Sequence, residues 1–327
     1  MVALIQNETI KMLKKKRFLV ILLILAVLIP IFTYAQLKVA QNTRKQFGTT
    51  DWRVSLQEQI TSYTNRLSNS RVPDEWKTRI KLEVKRLQYY LDRNVDPSSP
   101  NAVTFTRDFV KNAIGLFLPL MVAVMAADIV SGEHTTGTIK LLLTRPVRRW
   151  RILLSKLLTL LLFVSLLVLA VGVLCYVISG LIFGYGGWSM PLFTGFQLSE
   201  NTFNDSGVRA VDAWLYLLME FGLAWFSCAV VACMSLMVSV LVRSTAAGMG
   251  IMMATIIAGV ILANMVSSWE TAKYFFMVNL ETVNYLAGAQ PPIVGMTLGF
   301  SLSVLAVWAA AALVVAFGVF TRRDILN

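Results

Sequence analysis

The chain has 327 residues, of which 56% are hydrophobic and 15% are charged, and its mean hydropathy is +0.65. This composition excludes an ordinary soluble domain, because so much apolar sequence gathers into long uninterrupted runs. The formal net charge of +12 does not indicate a nucleic-acid partner, because the Lys and Arg residues are distributed as membrane topology requires.

Apolar runs of membrane-spanning length recur along the chain. A transmembrane helix needs about 20 mostly apolar residues to cross a hydrocarbon core of roughly 30 Å. Six segments meet this requirement: 17–35, 112–130, 152–183, 213–241, 246–266 and 293–320. The predicted fold class is therefore an all-α integral membrane protein with six transmembrane helices, numbered here in chain order.

The segment 1–16 precedes the first span. Val2, Ile5, Met12 and Leu13 fall roughly on one helical face, while lysines fall on another. This pattern predicts an amphipathic helix on the cytoplasmic membrane surface, with its lysines toward anionic lipid headgroups. A solvated charge run that only sets topology is an equally good interpretation, and the two are compatible.

Residues 36–111 form the longest polar stretch. Apolar residues recur there at helical spacing in two groups, Leu56, Ile60, Tyr63 and Leu67 and then Ile80, Val84, Leu87 and Leu91. A turn-like stretch at 68–72 separates the groups, and Asp96 with Pro97 ends the second. We expect an extracellular helical hairpin between the first and second spans. It either receives cargo or a partner, or is a spacer packed on the outer membrane face.

Two later segments are also expected outside the cell. Residues 184–212 are rich in Gly, Asn and Ser and predict a loop. Residues 267–292 are too polar to span, and they predict either short re-entrant helices or interfacial anchoring through Trp269 and Tyr274.

The positive charges orient the chain. The long segment 36–111 holds many Lys and Arg residues, but long translocated loops are largely exempt from the charge rule. Elsewhere Lys and Arg residues concentrate in segment 1–16, in the connector 131–151 and in the tail 321–327, whereas the two short outer loops hold only Arg209 and Lys273. Because cytoplasmic loops carry an excess of Lys and Arg, both termini are expected in the cytoplasm of a multi-pass plasma-membrane protein.

The titratable residues do not favour an enzyme. The one histidine, His134, lies in the connector, which argues against Ser-His catalysis and against a His-based metal site in the membrane. Glu220 is the one acid well inside a span, so an intramembrane carboxylate dyad is not expected. We predict no catalytic residue, no metal site and no cofactor in this chain. Glu220 either lines a transport pathway or bonds to a neighbouring helix.

The connector 131–151 contains the most informative pattern. Gly132 and Gly137 are spaced as in a phosphate-binding loop, but Thr138 stands where that motif needs lysine, so phosphate binding is not expected there. An acid stands early, at Glu133, and Arg145 and Pro146 come late, which suits a short helix that ends at the proline. The apolar residues between them are expected to face the bilayer or another protein.

This region resembles the permease subunits of type 2 ABC exporters. The shared pattern is Glu-x-x-x-Gly-Thr, then Leu-Leu-x-x-Pro-Val-x-Arg, then Ser-Lys in the next helix. Its members here are Glu133, Gly137, Thr138, Leu142, Leu143, Pro146, Val147, Arg149, Ser155 and Lys156. The six spans, the amphipathic start and the basic tail extend the resemblance over essentially the whole chain, although the outer hairpin is longer than in compact members.

The resemblance implies a mechanism and a set of partners. Two permease chains, identical or different, would form the pathway for a hydrophobic or amphipathic substrate such as a peptide, a drug or a lipid-linked molecule. Two separate ABC ATPase subunits would bind ATP and Mg and receive the connector as a coupling helix, in a bacterial membrane. The expected coupling residues are Glu133, Thr136, Gly137, Thr138, Leu142, Leu143, Arg145, Pro146 and Arg149. An ion-driven carrier and a membrane-anchored sensor with a helical ectodomain are the alternatives.

Overall fold

A computed structural model describes residues 1–47, 51–68, 74–96, 100–135, 137, 147–195, 197–199, 202–204, 208–242, 244–265, 269–289, 291–293 and 295–322. The first seven helices are α1 Val2–Lys14, α2 Arg17–Phe47, α3 Trp52–Leu67, α4 Asp74–Asp92, α5 Ala102–Ala113, α6 Phe117–Ala126 and α7 Ser131–Thr135. The later ones are α8 Arg149–Phe183, α9 Ala213–Leu241, α10 Thr245–Met265 and α11 Leu298–Arg322. Three 3-10 helices, Glu270–Tyr274, Phe276–Asn279 and Thr282–Tyr285, lie between α10 and α11.

The long apolar helices make this a mostly helical membrane protein. Within the described residues, five helices are long and apolar enough to cross a membrane, namely α2, α8, α9, α10 and α11. The chain from α5 through α6 passes the same test only as a pair bent by 65°, so the described residues hold five candidate spans, or up to six if the bent pair is one span.

The bend between α5 and α6 differs from the second span expected at 112–130. The helical chain begins earlier, at Ala102, where the Asn101 side chain accepts a hydrogen bond from Thr104 N at 2.8 Å. The chain turns at 114–116, where Gly115 lies against Glu281: a Cβ atom at position 115 would stand 2.5 Å from Glu281 Oε1. The predicted hairpin segment 36–111 includes most of α5, because Arg107, Asp108 and Lys111 interrupt the apolar pattern of this helix.

The helix α9 occupies the centre of the bundle. It packs against α6, α8, α10 and α11. In its most apolar stretch 78% of residues are buried, against at most 44% in the other candidate spans. Small polar residues such as Ser227, Ser235 and Ser239 are fully buried along it, which lets neighbouring backbones approach closely.

The helices α3 and α4 pack together as an antiparallel pair, called the hairpin below. Arg53 at the start of α3 donates from Nε to Asn94 Oδ1, just after the end of α4, at 2.9 Å. The core of the hairpin contains Leu56, Ile60 and Leu87. Its extracellular position stays a prediction.

Short strands replace the loop expected at 184–212, so the protein is not all-α. Strand β1 (Pro191–Thr194) pairs antiparallel with β4 (Arg209–Asp212), and β2 (Gln197–Ser199) pairs with β3 (Thr202–Asn204). Phe193 of β1 packs in the hairpin core, while its neighbour Leu192 packs with Tyr216 and Leu217 of α9. Adjacent strand residues point to opposite sides, so β1 connects the hairpin to the bundle. The strands are too short for their alternation to stand out within a Gly-rich stretch.

Other element ends also differ from the predicted bounds. Helix α2 continues from the first span as far as Phe47, and α11 begins at Leu298 rather than at residue 293. The 3-10 helices occupy much of the segment 267–292, and Trp308 of α11 donates its indole N–H to Tyr274 O at 2.8 Å. Whether these short helices enter a bilayer stays a prediction.

Candidate functional site

A lysine buried within α8 organises one end of the bundle, where α1, α7 and the start of α8 meet. The side chain of Lys156 is completely buried. Its Nζ lies 2.8 Å from Glu8 Oε2, 2.8 Å from Glu133 Oε1 and 2.9 Å from Ile129 O. Lys156 donates hydrogen bonds to Glu8 Oε2 and Ile129 O, and it forms an ion pair with Glu133.

A second lysine closes this arrangement. Lys11 Nζ lies 2.8 Å from Glu8 Oε1 and 3.0 Å from Glu133 Oε1. Glu8, Lys11, Glu133 and Lys156 thus form a ring of two acids and two bases, called the Lys156 network below. The network connects α1 and α7 to α8, and its formal charges cancel. The other oxygen of Glu133, Oε2, is buried without a hydrogen-bond partner among the described residues.

The network changes the titration of its α1 members. Burial by itself would raise the pKa of Glu8, but Lys156 and Lys11 outweigh it and hold the pKa below its ordinary value. Burial likewise opposes the charge of Lys11, but the carboxylates of Glu8 and Glu133 raise the pKa of Lys11 above its ordinary value. Both shifts favour the ionised pair.

A second set of ion pairs lies beside the network. Asp128, which follows α6, is 2.8 Å from Lys15 Nζ and 3.3 Å from Arg17 Nη1. Lys16, between those two cations, adopts a left-handed backbone with φ 57° and turns the chain from α1 into α2. The junction of α1 and α2 is therefore attached to the end of α6.

The central helix α9 contacts the same region through Ser239. Its hydroxyl accepts hydrogen bonds from Val130 N at 3.1 Å and Ser131 N at 3.0 Å, and it donates to Ala127 O at 3.1 Å. A backbone turn that is buried away from water requires such partners. Four helices, α1, α7, α8 and α9, are thus linked by polar contacts at this end.

The predicted coupling residues fall partly within this site. Glu133 is buried in the Lys156 network, and Gly137 has a left-handed backbone with φ 70°, with no described residue within 4 Å of where a Cβ would stand. Arg149, at the start of α8, donates from Nη1 to Thr321 O of α11 at 3.4 Å. The remaining predicted coupling residues lie outside the described residues: Thr136, Thr138, Leu142, Leu143, Arg145 and Pro146.

Glu220 lies elsewhere, within α9, and does not belong to the network. Its side chain is completely buried, and neither carboxylate oxygen has a hydrogen-bond partner among the described residues. The charged groups of Arg107, Asp108 and Lys111 act on it electrostatically. A helix-to-helix hydrogen bond by Glu220, one of the two predicted roles, is therefore absent from the described part of the chain.

Sequence reasoning missed the main partners of the network. Lys156 was predicted only as part of a motif, and Glu8 was not singled out. One signal was available for Lys156, which stands in an apolar run: a lysine that is buried requires charged partners. The sequence could not say that Glu8 and Glu133 would be those partners.

Comparisons with known proteins place the chain in a family. The family model described as a protein of unknown function, DUF2705, matches residues 78–326. The chain is 28% identical over 332 residues to the uncharacterized protein YhcI of Bacillus subtilis (strain 168), covering all of both chains. It is 27% identical over 215 residues to the uncharacterized membrane protein YdbK of the same organism, which covers 65% of this chain and 80% of that one. Since the family model spans well over half of the sequence, this membrane protein belongs to the DUF2705 family.

Proposed function

We propose that the chain is the transmembrane permease subunit of a type 2 ABC exporter. In this proposal two permease chains, identical or different, form the pathway, and two separate ATPase subunits bind and hydrolyse ATP. The substrate class is hydrophobic or amphipathic: a peptide, a drug or a lipid-linked molecule. Both termini and the Lys156 network face the cytoplasm of a bacterial cell, with the hairpin outside.

One contact carries the proposal. Glu133 and Lys156 both belong to the motif on which the resemblance rests, and they lie 2.8 Å apart although far apart in sequence. The contact attaches the start of the connector to a helix long enough to span the membrane. A connector anchored in this way can transmit a displacement by a partner subunit to α8 and, through Glu8, to α1.

Energy transfer also sets a condition on the partner. A ligand shifts an equilibrium between two conformations only by its difference in affinity for them. The ATPase pair must therefore bind the connector differently in its ATP-bound and ATP-free states. Glu133 Oε2, which is buried without a partner among the described residues, is an acceptor available to the rest of the connector or to an ATPase.

The first experiment isolates the tagged full chain from detergent-solubilised native membranes and measures ATPase activity in the eluate. We expect an ATPase to co-elute and its activity to depend on this chain. Glu133→Gln keeps the shape of the side chain but removes its charge, and it is expected to lower the stimulated activity several-fold. Glu58→Gln, the same change at an exposed position of α3, is the matched control and should have no effect.

Reduced ATPase stimulation in Glu133→Gln has two explanations, a destabilised fold and a lost connection to the ATPase, and a second variant separates them. Gly137→Ala provides the second variant, because its Cβ would meet none of the described residues within 4 Å, although its φ of +70° disfavours alanine locally. A folded Gly137→Ala protein with reduced ATPase stimulation would support a coupling role for the connector. Stimulation and co-elution unchanged in both variants would contradict the proposal.

Glu220 favours a second candidate function, an ion-driven carrier. Acidic residues within membrane helices often lie on ion or proton pathways, and this carboxylate is buried without a hydrogen bond among the described residues. A chain that elutes without an ATPase, with transport that needs no ATP and is lost in Glu220→Gln, would establish the carrier instead. A chain that elutes alone and shows no transport would favour a membrane-anchored sensor with the hairpin as its ectodomain.

A further inference from the structure

A polar chamber lies between the hairpin and the bundle, and none of the four residues of the Lys156 network lines it. Its volume is about 250 Å³, and residues of α3, α4, α5, β1 and α9 line it. Leu56, Leu87 and Phe193 form its apolar walls. A chamber of this size admits a small polar group rather than a large molecule.

The charged residues of the chamber do not balance. Arg86 forms an ion pair with Glu83, and Arg107 donates from Nε and Nη2 to Asp108 Oδ1 at 3.0 and 2.9 Å. Lys111, which also lines the chamber, makes no ion pair or hydrogen bond with the described residues. Because both carboxylates already bind an arginine, the wall has one positive charge without a counterion.

The chamber also offers hydrogen-bond donors. Arg86 Nε is buried and has no acceptor among the described residues. The Tyr90 hydroxyl accepts from Phe193 N at 3.3 Å, which leaves its own proton available, and the Tyr216 hydroxyl makes no hydrogen bond within the described chain. A buried donor without an acceptor is costly, so Arg86 Nε favours a bound acceptor, and the two tyrosine hydroxyls can add donors from α4 and α9.

We infer that the chamber binds a phosphate group. A phosphate offers several acceptor oxygens in a tetrahedral arrangement and a negative charge, so it can pair with Lys111 while accepting from Arg86 and the tyrosine hydroxyls. Glu220 follows Tyr216 by one helical turn but does not line the chamber. The phosphate belongs either to a lipid headgroup or to free phosphate, and both present the same oxygens.

The inference is independent of the exporter proposal, because binding can be measured on the full chain without any ATPase. The purified chain, in detergent and phosphate-free buffer, is titrated by calorimetry with three probes. These are inorganic phosphate, dihexanoyl phosphatidylglycerol below its micellar concentration, and dihexanoylglycerol, which has the same acyl chains but no phosphate. Thermal unfolding of every variant checks that it is folded.

Charge variants then locate the site. Lys111→Gln is expected to weaken binding of a phosphate-bearing probe by at least about ten-fold, the typical effect of losing a charge-assisted hydrogen bond. Lys111→Arg should retain most of the affinity. Lys81→Gln, the same loss of charge at an exposed position of α4 outside the chamber, is the matched control and should bind as the natural chain does.

Each result has a definite meaning. Binding of the phosphatidylglycerol alone, sensitive to Lys111, assigns the chamber to a lipid headgroup, whereas binding of inorganic phosphate with the same sensitivity assigns it to a free anion. Equal affinities in Lys111→Gln and Lys81→Gln would overturn the inference. Binding of dihexanoylglycerol as tight as that of the phospholipid, or no binding of either phosphate-bearing probe, would also overturn it.

Discussion

The ammonium group of Lys156 has exchanged water for three protein oxygens, so its removal leaves Glu8 and Glu133 to share Lys11 alone. Breaking a buried ion pair on one side typically costs about 3 kcal/mol or more, because a charge is left uncompensated. We expect Lys156→Met to lower the free energy of unfolding by roughly that amount, and the apparent Tm of the purified chain measures it.

A double variant separates lost charge balance from lost packing. Lys156→Met combined with Glu8→Gln removes one base and one acid, and leaves the pair Lys11 and Glu133 in place. Since neutral replacements of buried pairs are often well tolerated, the double variant should regain a substantial part of the stability. A Tm for the double variant below that of Lys156→Met would argue against the network as the source of the effect.

The pH dependence of stability follows from the shifts in the same residues. The pKa of Glu8 is lowered, so its favourable contribution is present above its ordinary value of 4.5 and is lost as the pH falls through the lower folded value. The pKa of Lys11 is raised, so its contribution persists up to its ordinary value of 10.5 and is lost above that, through the folded value. The Tm difference between the natural chain and Glu8→Gln should therefore be largest near neutral pH and shrink toward pH 3. A difference that grows on acidification would contradict this sign.

At the scale of elements, the bend between α5 and α6 depends on the absence of a side chain at position 115. An added Cβ would approach Glu281 Oε1 to 2.5 Å and Cδ to 3.1 Å, and overpacking of this kind typically costs about 1–3 kcal/mol. Gly115→Ala should lower stability by that order, measured by thermal or denaturant unfolding.

Shortening Glu281 tests whether the cost arises from this contact. Glu281→Ala removes the atoms that an alanine at position 115 would meet, although it also removes the acceptor of a hydrogen bond from Asn284. In the double variant the effect of Gly115→Ala should be much smaller than in the natural background. Additive losses would show that backbone conformation, rather than the Glu281 side chain, requires glycine there.

The elements differ in how well local sequence predicts them. Helices α8 to α11 have long apolar runs, and hydropathy finds them because a bilayer selects composition over about 20 consecutive residues. Helix α5 was assigned to the hairpin because Arg107, Asp108 and Lys111 stand in its middle, where they line a chamber that only the folded chain creates. Strand β1 was missed because its two buried residues pack against partners on opposite sides, contributed by α4 and α9.

The candidate site was less predictable than the helices. Lys156 and Glu8 are 148 positions apart, and Lys11 and Glu133 are 122 apart. Periodicity and composition report on neighbours within a few turns, so they indicate that such residues need partners without identifying them. The resemblance singled out Glu133 and Lys156 but gave no reason to place them in contact.

At the scale of the whole molecule, the orientation in the membrane is open to a direct test. The three natural cysteines, Cys175, Cys228 and Cys233, are free and buried, so the natural chain should react little with a membrane-impermeant maleimide. Asn65→Cys, at the exposed end of α3, should be labelled in intact cells. Lys14→Cys, on α1, should be labelled only after the membrane is permeabilised.

The labelling of Asn65→Cys and of Lys14→Cys in intact cells is compared, so each variant serves as the control for the other. Equal labelling of both sites in intact cells would indicate that the maleimide has crossed damaged membranes. Labelling of a cytoplasmic marker protein in the same cells checks for this damage. Labelling of Lys14→Cys alone in intact cells would reverse the topology and place the hairpin in the cytoplasm. That result would also remove the connector from reach of a cytoplasmic ATPase.

The separation between the two halves of the Lys156 network has a consequence for biosynthesis. Glu8 leaves the ribosome long before Lys156, and α2, the hairpin and α6 are made between the two. When α8 enters the translocon, its lysine meets a carboxylate that is already in place. A chain whose first helix is missing would leave Lys156 with Glu133 as its one carboxylate partner among the described residues. The first residues therefore supply one of the two carboxylates that compensate the charge of a lysine made 148 positions later.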